Sequence, residues 1–234
     1  REMFAGSQPF NQDVSNWDVS NVTTMERMFW FNQTFDQDIG EWNVGNVTNM
    51  NEMFRGARFN REIGNWDVGN VTSMRWIFRE TSFFNQNISN WDVSNVTNMD
   101  GMFVLSSAFN QPIGNWNVSN VRDMKEMFSG ATSFNQNIGN WDVSNVTDMS
   151  GMFYGATSFN QDISEWDVSN VTSFVNMFTD ASDLSQDNKL LIHNSWKIKN
   201  PTIWNLHKPT DWIFSFSSNL ELVQAVQNYT SSDL

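Results

Sequence analysis

The chain has no cysteine, four prolines, two histidines and two tyrosines among its 234 residues. Without cysteine there is no disulfide framework and no thiolate chemistry, and that absence alone fixes no compartment. His193 and His207 stand at no recognisable spacing from a serine nucleophile, which leaves little for catalysis. No phosphate-cradling glycine loop, zinc-ligand spacing or EF-hand pattern occurs. The chain is therefore not read as an enzyme, and no cofactor or metal is expected. Lysine and arginine together number 13 against 26 acidic residues, a formal net charge of −13. With no basic run to release counterions, nucleic acid is excluded as a partner and an anionic membrane surface is disfavoured. No apolar run approaches a bilayer span, so this segment is not expected to insert into a membrane, and no signal peptide is visible.

What the chain does have is 20 phenylalanines, 13 methionines and 12 tryptophans, most of them at fixed intervals. The stretch from Ile88 to Phe103, Ile-Ser-Asn-Trp-Asp-Val-Ser-Asn-Val-Thr-Asn-Met-Asp-Gly-Met-Phe, is written again and again with small edits. Its tryptophan recurs as Trp17, Trp42, Trp66, Trp91, Trp116, Trp141 and Trp166, at intervals of 24 or 25 residues. A period of that length signals stacked supersecondary units, none able to bury its apolar face alone. Trp91 and Val93 alternate with polar Asn90, Asp92 and Ser94, which predicts a short strand with Trp and Val inward. Met99, Met102 and Phe103 follow at i, i+3 and i+4, which predicts a turn or two of α or 3₁₀ helix. Gly130 and Gly155 are placed to end such a helix as C-caps. The expected fold is an α/β repeat solenoid, with one short parallel strand and one short helix per 25-residue unit.

The pattern Trp-Asp-Val-Ser-Asn-Val-Thr-x-Met-x-x-Met-Phe, with Phe-Asn-Gln-x-Ile-Ser-Asn between copies, resembles the BspA-like surface-protein repeat. That 25-residue unit is also described from mycoplasma surface lipoproteins and is usually grouped with leucine-rich repeats. The resemblance covers residues 1 to about 183. It implies a right-handed leucine-rich-repeat-like coil on a secreted or cell-surface protein, with adhesion or partner binding as the commonest role. The turn after the predicted strand is a residue shorter than in the shorter BspA-type repeats, so curvature does not carry over. Residues 1–183 are thus read as about seven coils with an incomplete N-terminal unit, and 184–217 as an irregular C-terminal cap. Residues 218–234 read as an amphipathic helix with a Ser218 N-cap, similar to the helix that opens a further array in related chains. Because Arg1 to Phe4 is the tail of a unit, the chain is read as part of a longer polypeptide.

Several surface columns bear on function. The outward column Asp18, Asn43, Asp67, Asp92, Asn117, Asp142 and Asp167 reads as a binding strip, one that Ca²⁺ would assist, or as a solvated face whose side chains orient the turn. Asn21, Asn46, Asn70, Asn95, Asn120, Asn145 and Asn170 read as N-glycosylation acceptors or as a ladder between coils, and the ladder is preferred because every coil needs the turn. The threonines from Thr23 to Thr172 read as helix N-caps rather than as an ice-facing hydroxyl array. Trp30 and Trp76 fall where helical phase points to solvent, and with Tyr154 they are the candidate interface anchors. The expected function is a cell-surface or extracellular adhesion module that presents a rigid repeat surface to a protein or glycan ligand. The alternative is a structural subunit whose partners are copies of itself in a filament or virion surface.

Overall fold

In the computed structural model, which describes residues 2–6 and 10–212, successive units lie directly on one another. The predicted strand and helix of each unit are not there. Among the described residues the helices are α1, Gln186–Lys199, and α2, Pro201–His207, both beyond the repeats. Strand-like pairing between the described units is confined to single parallel bridges, running in one line from Thr24↔Asn49 to Asp148↔Ser173. The strand-plus-helix α/β solenoid, and with it the leucine-rich-repeat architecture that the resemblance implied, is therefore corrected to a stack of turn-built coils.

The reasons are local. Trp91 does point inward, 3% exposed, as does Val93, while Asp92 points out. Alternation reports the direction of side chains and not whether backbones pair. Trp91 N–H closes a turn on Ile88 O at 3.1 Å and Val96 N–H closes the next on Val93 O at 2.9 Å, so only three residues lie extended between them. The bridge forms one step later, at the residue between Thr and Met.

The helix fails for a different reason. Met99, Met102 and Phe103 are all buried, as their spacing requires. Yet Gly101 has φ 56° and Leu105 φ 57°, in the left-handed region that cannot continue a right-handed helix. The first of these places is held in other coils by Arg27, Glu52, Trp76, Glu126, Gly151 and Asn176, all with φ between 54° and 62°. The backbone instead divides its donors. Met99, Gly101, Phe103 and Leu105 donate to carbonyls of the next coil at 2.7–2.9 Å, while Met102, Val104 and Ser106 close three-residue turns at 3.1–3.2 Å. Gly130 and Gly155 do adopt positive φ, as C-capping glycines would, but they serve these turns.

Rings fill the core between coils. Phe29, Phe54, Phe78, Phe103, Phe128, Phe153 and Phe178 form a column with centroids 5.7–5.9 Å apart. Each from Phe29 to Phe153 faces the second phenylalanine of its unit, as Phe103 faces Phe109 at 3.9 Å, and Leu184 takes that place after Phe178. Each tryptophan of the repeat column, Trp42, Trp66, Trp91, Trp116, Trp141 and Trp166, sends its indole N–H to a carbonyl of the preceding unit, as Trp91 does to Ile63 O at 3.0 Å, so these buried rings leave no donor unpaired.

The last coil is closed by α1 and α2 rather than by irregular chain. Ser185 caps α1, its hydroxyl accepting from Asn188 N–H at 3.2 Å, and Pro201 begins α2, where a missing N–H costs nothing. Only Ile192 and Trp196 of α1 are buried, and Leu191 and Ile198 are exposed, so the apolar stripe is too narrow to read from sequence. Trp196 stacks on Trp166 at 6.3 Å and on Phe174 at 5.3 Å. Asn200 Nδ2 donates to Val168 O at 2.9 Å and Val171 O at 2.8 Å, while Lys199 Nζ reaches Ser164 O at 2.9 Å. In an inner coil the matching Val93 O takes the N–H of its own turn, from Val96, so these bonds are the cap's own. The helix expected over 218–234 lies outside the described residues.

Candidate functional site

Two surfaces run the length of the stack, and they differ in how their side chains are used. The first is the polar strip. Asp18, Asn43, Asp67, Asp92, Asn117, Asp142 and Asp167 are all exposed, and each accepts the backbone N–H two residues on through Oδ1, at 3.0–3.2 Å. The serine hydroxyl at that position adds a bond of 2.6 Å to Asp18 and Asp142. Such Asx turns hold the carboxyls of Asp18 and Asp92 below their ordinary value, chiefly through the Ser20 and Ser94 hydroxyls, and that of Asp167 chiefly through the Ser169 N–H. The turn-orienting role is thus visible in every member, and among the described residues no three acidic or histidine side chains converge as metal ligands would.

The asparagine column forms the preferred ladder. From Asn46 to Asn170 each Nδ2 donates to a carbonyl of the preceding coil at 2.7–2.8 Å, on exposed rather than buried ground. The threonines are not N-caps, since no helix follows them. Thr48, Thr72, Thr97, Thr147 and Thr172 donate their hydroxyls to the residue one coil back at 2.8–3.2 Å. A further ladder comes from Phe-Asn-Gln, read above only as a link between units. Asn85 Oδ1 accepts Asn110 N–H at 2.9 Å and Gln111 Nε2 at 3.0 Å, and the arrangement repeats along the stack. The signal for it was recurrence of an amide pair, broken only at Asp36-Gln37 and Asn60-Arg61, that no turn or helix cap requires.

The second surface is the ridge of left-handed turns, where the coils differ. Successive units place Arg27, Glu52, Trp76, Gly101, Glu126, Gly151 and Asn176 at one step, and Trp30, Arg55, Arg79, Val104, Ser129, Tyr154 and Thr179 three residues on. Tyr154 is exposed, as is Leu105 two coils earlier on the ridge. Trp30 and Trp76 are half-buried, which corrects their reading as solvent-facing. Without a helix the helical phase does not apply, and a left-handed residue lays its side chain along the next coil. The Trp76 ring lies 3.7 Å from the Arg75 guanidinium, with Arg55 and Arg79 at 4.9 and 5.1 Å, and its Nε1 is buried without a partner. Trp30 packs edge-on to Phe31 at 4.7 Å.

An ion-pair network that the sequence did not announce surrounds these rings. Glu52, 4% exposed, receives Arg27 at 2.8 Å and Arg55 at 3.0 Å, Arg79 pairs with Glu80 at 2.9 Å, and Arg75 with Asp100 at 2.8 Å. Arg27 and Glu52, like Arg75 and Asp100, stand one coil apart in sequence, a separation at which charge pairs are not sought on a helix or strand face. Burial on its own raises the Glu52 carboxyl, but the hydrogen bonds and charges of Arg27 and Arg55 outweigh it and hold the carboxyl below its ordinary value. Its contribution to stability is full above about pH 4.5 and is lost as pH falls through the depressed folded value. Glu52→Gln is expected to cost about 1–2 kcal/mol at pH 7. Urea midpoints measured at pH 7 and pH 3.5 check this, since the difference between variant and wild type shrinks in acid.

The sequence matches the family described as "Mycoplasma protein of unknown function, DUF285" in three overlapping stretches, residues 1–61, 57–143 and 106–207. No curated protein and no solved structure matches it.

Proposed function

The chain belongs to the DUF285 family, and from that premise we propose that it is a non-enzymatic binding module of a secreted or cell-surface protein, which recognises a protein or glycan through its ridge of left-handed turns. The finer likeness to BspA-like adhesion repeats supports the same reading. The observation that carries it is the division of labour between the two surfaces. Side chains that are uniform from coil to coil are those bonded to neighbouring coils or to their own turns, so stacking accounts for their uniformity. Side chains that change chemistry from coil to coil gather on the ridge, where tryptophan, tyrosine, leucine and arginine stand within a few coils of one another. Aromatic and arginine side chains are the usual anchors of recognition. The Asp and Asn strip is then a secondary contact, its outer oxygens facing solvent.

Screening the purified chain against extracellular-matrix proteins and a glycan array tests this. A captured ligand should bind Tyr154→Ser and Leu105→Ser at least tenfold more weakly, with the unfolding midpoint little changed, since both side chains are exposed. Binding insensitive to both changes refutes the ridge. Absence of any ligand, together with light scattering that grows with concentration, favours the structural-subunit reading instead.

A further inference from the structure

Both histidines of the chain stand in the two-helix cap, and each presents Nδ1 as an acceptor. The indole N–H of Trp204, a wholly buried ring, donates to His193 Nδ1 at 3.2 Å, and the backbone N–H of Phe174 in the last coil donates to His207 Nδ1 at 3.4 Å. Accepting at Nδ1 requires a neutral imidazole with its proton on Nε2. Trp204 joins the cap to the stack, lying edge-on to Trp196 at 5.2 Å and to Phe174 at 5.5 Å, with Trp212 at 5.7 Å. Lys197 on α1 and Lys208 just after α2 direct positive charge at His193, and Lys189 precedes it by one turn on α1.

We propose that His193 makes the cap an acid-released latch: protonation at Nδ1 sets N–H against N–H, orphans the buried Trp204 indole and lifts α2 with Asn200 from the last coil. What would be uncovered is specific. Asn200 holds the carbonyls of Val168 and Val171, and Trp204 lies edge-on over Phe174, so release frees the Val171 acceptor and an apolar edge together. This is the surface on which another coil would stack. The proposal does not rest on the binding role.

The sign follows from linkage. Burial first, then Lys208 and Lys197, hold the imidazole below its ordinary value of 6.5 in the closed cap. Opening therefore takes up a proton, and opening is favoured as pH falls below that value. If the closed cap takes up none, opening becomes roughly 30-fold more frequent by pH 5.

Hydrogen exchange of the full chain, followed by mass spectrometry from pH 8 to pH 5 and normalised to an unstructured peptide, tests this. Peptides from α1 and α2 should lose protection by about tenfold or more on acidification, while those from the central coils hold theirs. In His193→Asn, whose Oδ1 replaces Nδ1 as an uncharged acceptor, the loss should vanish. A flat wild-type profile overturns the latch, and so does an unchanged loss in H193N, including one abolished only by His207→Asn. Should H193N already be open at pH 8, an NMR titration of the wild-type His193 ring decides. Loss of protection in step with its protonation supports the latch, and loss out of step overturns it.

Discussion

Replacing Trp91 with alanine should lower the unfolding free energy by about 3–5 kcal/mol, measured by urea denaturation at pH 7. The indole is 3% exposed, parallel to Trp66 within 2° at 6.4 Å and 6.0 Å from Phe78, with its N–H on Ile63 O at 3.0 Å. Truncation therefore opens a cavity between coils and leaves the Ile63 carbonyl with the Trp66 N–H alone, at 3.2 Å. Trp91→Phe separates the two effects, since it keeps a ring but removes the N–H, and it should cost about 1–3 kcal/mol. Each coil touches only its neighbours, so exchange protection should fall most from the Trp66 unit to the Trp116 unit and least beside the cap. A loss under 1 kcal/mol for the alanine variant would show that the ring column does not hold the coils together.

Trp91 also shows how much of the fold was legible. The repeat, its period, the inward Trp, Val, Met and Phe columns and the asparagine ladder all follow from recurrence, because a side chain repeated at every coil must meet its own copy. Secondary structure did not follow. Turns put residues of opposite direction at every second place much as a strand does, and i, i+3, i+4 burial arises equally from consecutive three-residue turns. Only dihedral angles distinguish them, and the residues at the left-handed place, Arg27, Glu52 and Trp76 among them, are not those that announce positive φ. Glycine at 101 and 151 and asparagine at 176 were the available signal.

The same geometry decides what the candidate site is made of. The polar strip was legible as a column, and orienting its own turn was one of the two tasks its residues suggested, the one that the Asx bonds display. The ridge was legible only as two misplaced tryptophans and Tyr154. Its arginine network includes pairs a full coil apart, Arg27 with Glu52 and Arg75 with Asp100, and nothing in a linear reading marks Glu52 as buried while the glutamate in the same place, Glu126, is only half so.

Gly101→Ala joins the fold to the ridge, and its expected cost is about 2–4 kcal/mol. Two effects contribute. The residue has φ 56°, where an L side chain is strained by about 1–2 kcal/mol. A Cβ there would also lie 2.5 Å from Trp76 Cδ1 and 2.7 Å from its Nε1, so the ring must move off its arginines or the coils must part. Phe31 over Gly56 and Leu105 over Gly130 repeat the arrangement, with approaches of 2.7 and 2.6 Å, so a large side chain on one coil is matched by a missing one on the next. A double-mutant cycle with Trp76→Ala distinguishes the two effects. In the Trp76→Ala background Gly101→Ala should cost only the dihedral part, about 1–2 kcal/mol, leaving a coupling of about 1–2 kcal/mol between the sites. Additive costs would mean that the ring yields freely, and the ridge would then be a loose surface rather than one shaped coil by coil.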